Sequence, residues 1–174
     1  MSITPRAKAI GGTLIIALAG IIGGYFAVAT GNEVNVQLSI FYIVLAINTF
    51  FSIELFASIV SPRSRIQKIM DAILLVLIIG LAFTLNNPLL FIFLDLIMFL
   101  VATVKYTLML GVVDHPKLLK RKIIIDLSGA LLAGLALVGI LYGYQSYSVW
   151  ILTSIFLLAN IFFLFVWPMY RADR

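Results

Sequence analysis

Residues 68–112 read KIMDAILLVLIIGLAFTLNNPLLFIFLDLIMFLVATVKYTLMLGV, and how this stretch is divided decides the fold. A bilayer is crossed by roughly 20 apolar residues of helix, so the stretch is far too long for one span. The break lies at Leu85-Asn86-Asn87-Pro88. Asn87 has the side chain of an N-cap, and Pro88 stands where the missing N–H costs nothing, at the first helical position. The stretch therefore divides into two membrane helices joined by a tight turn.

The same reading extends in both directions. Apolar runs predict spans at about 9–29, 37–60, 68–86, 88–112, 122–144 and 147–168. The last two are separated only by the turn from Tyr144 to Tyr147. Thr4-Pro5 and Ser61-Pro62 repeat the helix-start signal of Asn87-Pro88. The expected fold class is all-α, a polytopic membrane protein of six transmembrane helices forming one membrane domain over residues 1–174.

Composition agrees. The 174 residues are 63% hydrophobic and 11% charged, with a mean hydropathy of +1.18. Globular chains are about half apolar and about a quarter charged, and a soluble domain of this size has too little interior to hide the excess. A soluble enzyme, a disordered chain and a nucleic-acid-binding domain are excluded on this ground, despite a net charge of +5. No cysteine is present and His115 is the single histidine, which removes thiolate clusters and paired-histidine metal or haem ligation within the chain. His115 itself reads as a solvated linker residue. No cofactor and no metal are expected.

Eleven of the twelve basic residues fall on one side of the predicted spans: Arg6, Lys8, Arg63, Arg65, Lys68, Lys117, Lys120, Arg121, Lys122, Arg171 and Arg174. Because Lys and Arg accumulate on the cytoplasmic face, both termini are expected in the cytoplasm. Tyr25, Tyr142, Tyr144, Tyr147 and Trp150 would belt the outer interface, with Trp167 and Tyr170 at the inner one. Ala27-Val28-Ala29 after an apolar run resembles a signal-peptidase site, but the repeat described next needs helix 1, so the first span is expected to be retained.

Pro5, Pro62, Pro116 and Pro168 are spaced 57, 54 and 52 residues apart. Basic residues, a helix, a short turn and a returning helix follow each of the first three. This predicts three tandem hairpins, approximately 5–61, 62–115 and 116–168. Helices 1, 3 and 5 hold ten of the twelve glycines, and helices 2, 4 and 6 eleven of the thirteen phenylalanines. Membrane helices associate by close backbone approach, so Gly20-x-x-x-Gly24, Gly129-x-x-x-Ala133 and Gly139-x-x-x-Gly143 are expected packing faces. The alternative is that the Gly/Phe division is a chance feature of membrane composition.

Charged groups inside spans are costly and mark candidate sites. Glu54 and Lys105 each lie 17 residues into their predicted spans, and Asn160 stands eight residues before Pro168 as Glu54 does before Pro62. If these three converge, they form an intramembrane polar cluster able to gate protons or hold a polar ligand. The plainer alternatives are structural hydrogen bonding, or a Lys105 that snorkels to the interface. Asp95, about 10 Å into helix 4 at ~1.5 Å per residue, either reaches the interface or marks a polar crevice. Asn48 is expected to bond a neighbouring helix. Asp71 and Asp126 read as first-turn carboxylates favoured by the helix dipole and adjacent Lys/Arg.

No nucleophile, phosphate loop or zinc motif is legible, so catalysis is not expected. Three tandem hairpins with glycine-bearing helices and basic inner linkers resemble the HdeD-type acid-resistance membrane proteins. That resemblance implies a prokaryotic inner-membrane protein connected with envelope stress, and it brings no catalytic residues. Three functions stand open: an accessory or structural subunit of a membrane complex, a small channel or transporter with Glu54, Lys105 and Asn160 along its path, and a membrane-embedded binder of a lipid or quinone without its own redox centre. Membrane lipids are the expected partners, with other membrane subunits or further copies of this chain as candidates, and no nucleic acid.

Overall fold

The computed structural model describes residues 4–59, 65–111, 113 and 115–167. The helix-start signal at Ser61-Pro62 lies outside them, as do Arg63, Asp114, Pro168, Tyr170, Arg171 and Arg174. Six helices long and apolar enough to cross a membrane are present: α1 (Pro5–Val28), α2 (Glu33–Ile59), α3 (Arg65–Phe83), α4 (Pro88–Met109), α5 (Pro116–Leu141) and α6 (Gln145–Ile161). A π turn, Phe162–Val166, extends α6. No strand occurs among the described residues. The chain is an all-α integral membrane protein.

Prolines open three of these helices. Thr4 Oγ1 accepts from Ala7 N at 3.2 Å ahead of Pro5, and Asn87 Oδ1 accepts from Leu90 N at 3.2 Å ahead of Pro88. Each cap satisfies one of the orphan donors of a first turn. Gly31 and Gly143, at φ +66° and +89°, carry the turns from α1 to α2 and from α5 to α6. Only glycine adopts that backbone without strain.

Five helices begin before their apolar runs do. α1, α2, α3, α5 and α6 start at Pro5, Glu33, Arg65, Pro116 and Gln145, so the polar linker residues are themselves helical. Helix formation needs no hydrocarbon, and a 24- to 27-residue helix such as α1, α2 or α5 overreaches the apolar slab. One expectation is corrected as a result. Neither α3 nor α5 has an acidic residue in its first turn. Asp71 and Asp126 stand six and ten residues past the helix starts, about 9 and 15 Å along the axis at ~1.5 Å per residue.

The helices form a ring in the order α1, α2, α6, α5, α4, α3 and back to α1, with α2 and α4 meeting lightly across it. The longest shared face is that of α4 with α5, which are joined through the linker at His115-Pro116. α4 is the most buried of the six. The main core lies where α2, α4 and α6 face one another: Phe41 stacks on Phe156 at 4.2 Å between ring centres, and meets Phe91 edge-on at 5.7 Å. A smaller core of Phe56, Ala102, Tyr106, Met109 and Leu119 lies toward the other end of α4.

The small residues divide by what faces them. A side chain at Gly20 would enter the Tyr42 ring, one at Gly129 would lie 2.7 Å from the Phe99 ring, and one at Gly139 would meet Ser148. Ala133 is fully buried. Gly24, in contrast, has open space above it, and Gly143 serves the turn and not a packing face. Gly23, which sequence spacing did not single out, makes the closest approach, since its missing Cβ would coincide with the Ala82 carbonyl of α3.

Candidate functional site

A cavity of about 320 Å³ lies among α1, α2, α3, α4 and α5, at the end where α1, α3 and α5 begin. Its inner floor is apolar, formed by Ile16, Leu45, Ile78 and Phe99. The wall nearer the helix starts is charged. Here α3 contributes Asp71, α4 contributes Lys105, and α5 contributes Lys122 and Asp126.

The four charges form two ion pairs. Lys105 Nζ lies 2.6 Å from Asp71 Oδ1, tying α4 to α3. Lys122 pairs with Asp126 one turn along α5. The Tyr106 ring is near both ammonium groups, its centre 5.0 Å from Lys105 Nζ and 5.5 Å from Lys122 Nζ. An aromatic face attracts cations, so the ring stabilises both. Its hydroxyl is 3.1 Å from Ser52 Oγ, which adds α2 to the network, and Phe56 of α2 packs on its ring at 4.6 Å.

The two pairs differ in access. The Lys122 and Asp126 side chains are 9% and 2% exposed, whereas Asp71 is 49% exposed beside a Lys105 that is 9% exposed. Asp71 is therefore the most accessible charge of the two pairs. Asp126 Oδ2 has no hydrogen-bond partner although buried. Lys8 of α1, exposed and in no ion pair among the described residues, adds one positive charge to the lining.

Of the residues singled out by sequence, Lys105 and Asn48 line this cavity. Glu54 does not. It is half-buried and lies two positions from Ser52, about 200° around α2, so it faces away from the lining residues. The ion pair of Lys105 is with Asp71 and not with Glu54. Asn160 is buried on α6 and donates to Phe156 O of its own helix at 2.8 Å. α6 lies beyond α2 in the ring and contributes no residue to the cavity. Glu54, Lys105 and Asn160 thus do not come together. Asp95 is fully buried on α4, at neither interface nor cavity, and neither of its oxygens has a hydrogen-bond partner. His115 occupies the N-cap of α5 without a side-chain capping bond.

Asp71, Lys122, Asp126, Tyr106 and Ser52 were not read as site residues from sequence. Lys68-Ile69-Met70-Asp71 and Lys122-Ile123-Ile124-Ile125-Asp126 carried a usable signal, a carboxylate one turn after a lysine in two related helices. Starting those helices too late made both carboxylates look peripheral.

Comparison with known protein families, characterised proteins and solved structures finds no match to this chain.

Proposed function

We propose that this chain is a non-enzymatic multi-pass protein of a prokaryotic cytoplasmic membrane that takes a small charged solute into the cavity between α1 and α5, as the binding step of a transporter. Both termini and the cavity mouth then face the cytoplasm, as the placement of the basic residues favours. The observation that carries the reading is the half-exposed Asp71 paired to a buried Lys105 in the wall of a cavity of about 320 Å³. Buried ion pairs are poor glue, since desolvation offsets most of their attraction and apolar residues serve as well. Four charges kept around an open space are better explained by a ligand.

Lys8 makes the lining net positive, so the solute carries a carboxylate or phosphate. Its anionic group would compete with Asp71 for Lys105, and an amine on the same molecule would find the free oxygen of Asp126. The test is a thermal-stability screen of purified protein with amino acids, short dicarboxylates and inorganic phosphate. At least one is expected to stabilise the wild type and to lose that effect in Lys105→Met. No stabilisation by any of them, or the same stabilisation in the variant, counts against the site.

A second reading, an accessory subunit of a larger complex or an envelope-stress component as the HdeD-type resemblance implies, draws on a separate observation. An apolar groove of about 610 Å³ runs along α1 and α2, past Gly20 and the uncovered Gly24. Smooth small-residue faces of this kind receive a neighbouring helix. Since the chain has no cysteine, Gly24→Cys gives a single crosslinking position. A crosslink in native membranes to a partner, or to a second copy, supports this reading, and a chain that crosslinks to nothing opposes it.

A further inference from the structure

A second basic site shares no lining residue with the cavity. On α5, Lys117 and Arg121 are four residues apart and share one helix face, which continues one turn further as Ile124 and Ile125. Lys117, Lys120 and Arg121 are all exposed. Across from this face is the π turn after α6, which brings Phe163 and Trp167 alongside. Arg121, Ile124, Ile125, Phe163 and Trp167 enclose a crevice of about 200 Å³. The Arg121 guanidinium lies 5.1 Å from the centre of the Trp167 ring. Among the described residues no carboxylate pairs with Arg121, in contrast to Lys105 and Lys122.

We propose that this crevice binds one anionic phospholipid, its phosphate on Arg121 with Lys117 and Lys120 near, and the upper part of an acyl chain between Ile124, Ile125 and Phe163. The order of chemistry along the face is that of a lipid: cations at the helix start, an amphipathic indole beside them, then aliphatic side chains deeper. Arginine suits the headgroup end because its planar fork matches a phosphate while its weak hydration lowers the cost of leaving water. A tryptophan ring holding that guanidinium from one side leaves its remaining donors for the lipid. Basic crevices between membrane helices recognise anionic headgroups in this way.

The two tryptophans, Trp150 and Trp167, provide the experiment. Trp150→Phe leaves Trp167 as the sole tryptophan of the chain, excited selectively on the red side of the absorption of its seven tyrosines. The protein is reconstituted into phosphatidylcholine vesicles containing an equal fraction of acyl-brominated phosphatidylglycerol or acyl-brominated phosphatidylcholine. Enrichment of the anionic lipid by about fivefold is expected, the factor that one cation contributes near a bilayer, read as stronger quenching by brominated phosphatidylglycerol. Arg121→Gln is expected to remove most of the difference in quenching between the two lipids with helix content unchanged, and Arg121→Lys to keep it. Equal quenching in the Trp150→Phe parent overturns the proposal, as does a preference undiminished in Arg121→Gln. Inorganic phosphate is expected not to compete, and competition by it would overturn the lipid assignment in favour of a free anion.

Discussion

The two ends of the bundle solve the same problem in opposite ways. At one end α1 and α3 are drawn together until Gly23 lies against the Ala82 carbonyl, and Leu38, Leu81, Leu85 and Phe91 fill the remaining space completely. At the other end both helices line a cavity, α1 with Lys8 and Gly12 and α3 with Gln67 and Asp71. Lipid supplies no hydrophobic force between helices, so association must come from backbone proximity or from polar contacts. Small residues supply the first where the helices touch. Where they do not, the Lys105–Asp71 pair links α4 to α3 in the wall of a space with room for a molecule.

The largest effect is expected from breaking the polar end. Lys122→Met leaves Asp126, almost fully buried, without its partner, and should cost about 3–5 kcal/mol of stability. The double variant Lys122→Met/Asp126→Leu should recover most of that, because no uncompensated charge remains. Chemical or thermal unfolding in detergent reads both, and a double variant no better than the single one would mean that the pair is not the unit.

The close-packed end is tested by two neighbouring glycines. Gly23→Leu drives a side chain into backbone that cannot step aside, and should cost about 3 kcal/mol, the upper range for overpacking. Gly24→Leu, whose Cβ would meet nothing within 4 Å at the edge of an open groove, should be tolerated. Equal losses at the two positions would remove the contrast between touching and open faces.

A smaller effect of opposite sign is expected at Asp95. Its carboxyl lies fully buried and unpartnered among apolar neighbours, a placement that costs stability unless some function uses it. Asp95→Leu should raise stability by about 1–2 kcal/mol. For a domain of this size that is about 2–4 °C in Tm per kcal/mol. A fall in Tm would show that the carboxyl has work in the folded state.

Hydropathy and proline placement made the six helices legible, because span length and helix starts are local properties. Pro88 is the first residue of α4, where the predicted span begins, and Asn87 caps as its position predicts. The polar site was legible only in part. Counting residues into a span measures height along the membrane normal, and by height Glu54, Lys105 and Asn160 match. It says nothing of direction around each helix or of which helices adjoin. α6 is placed beyond α2, and Glu54 is turned from the lining face, so matched heights gave no contact. Lys105 stood out because a lysine that deep needs a partner. Its partner was obscured by an error in phase, since Asp71 looked terminal only while α3 was begun at its apolar run.

One turn of backbone fixes an angle elsewhere in the molecule. An α-helix advances about 100° per residue, so a segment that absorbs one extra residue rotates everything after it by about that amount. The π turn Phe162–Val166 does this, and Trp167 N bonds to Phe162 O at 2.8 Å, five residues back. Trp167 meets Arg121 from that displaced direction. The crevice against α5 is thus the product of a phase offset in α6, set by the length of the segment before Trp167 as much as by the residues that compose it.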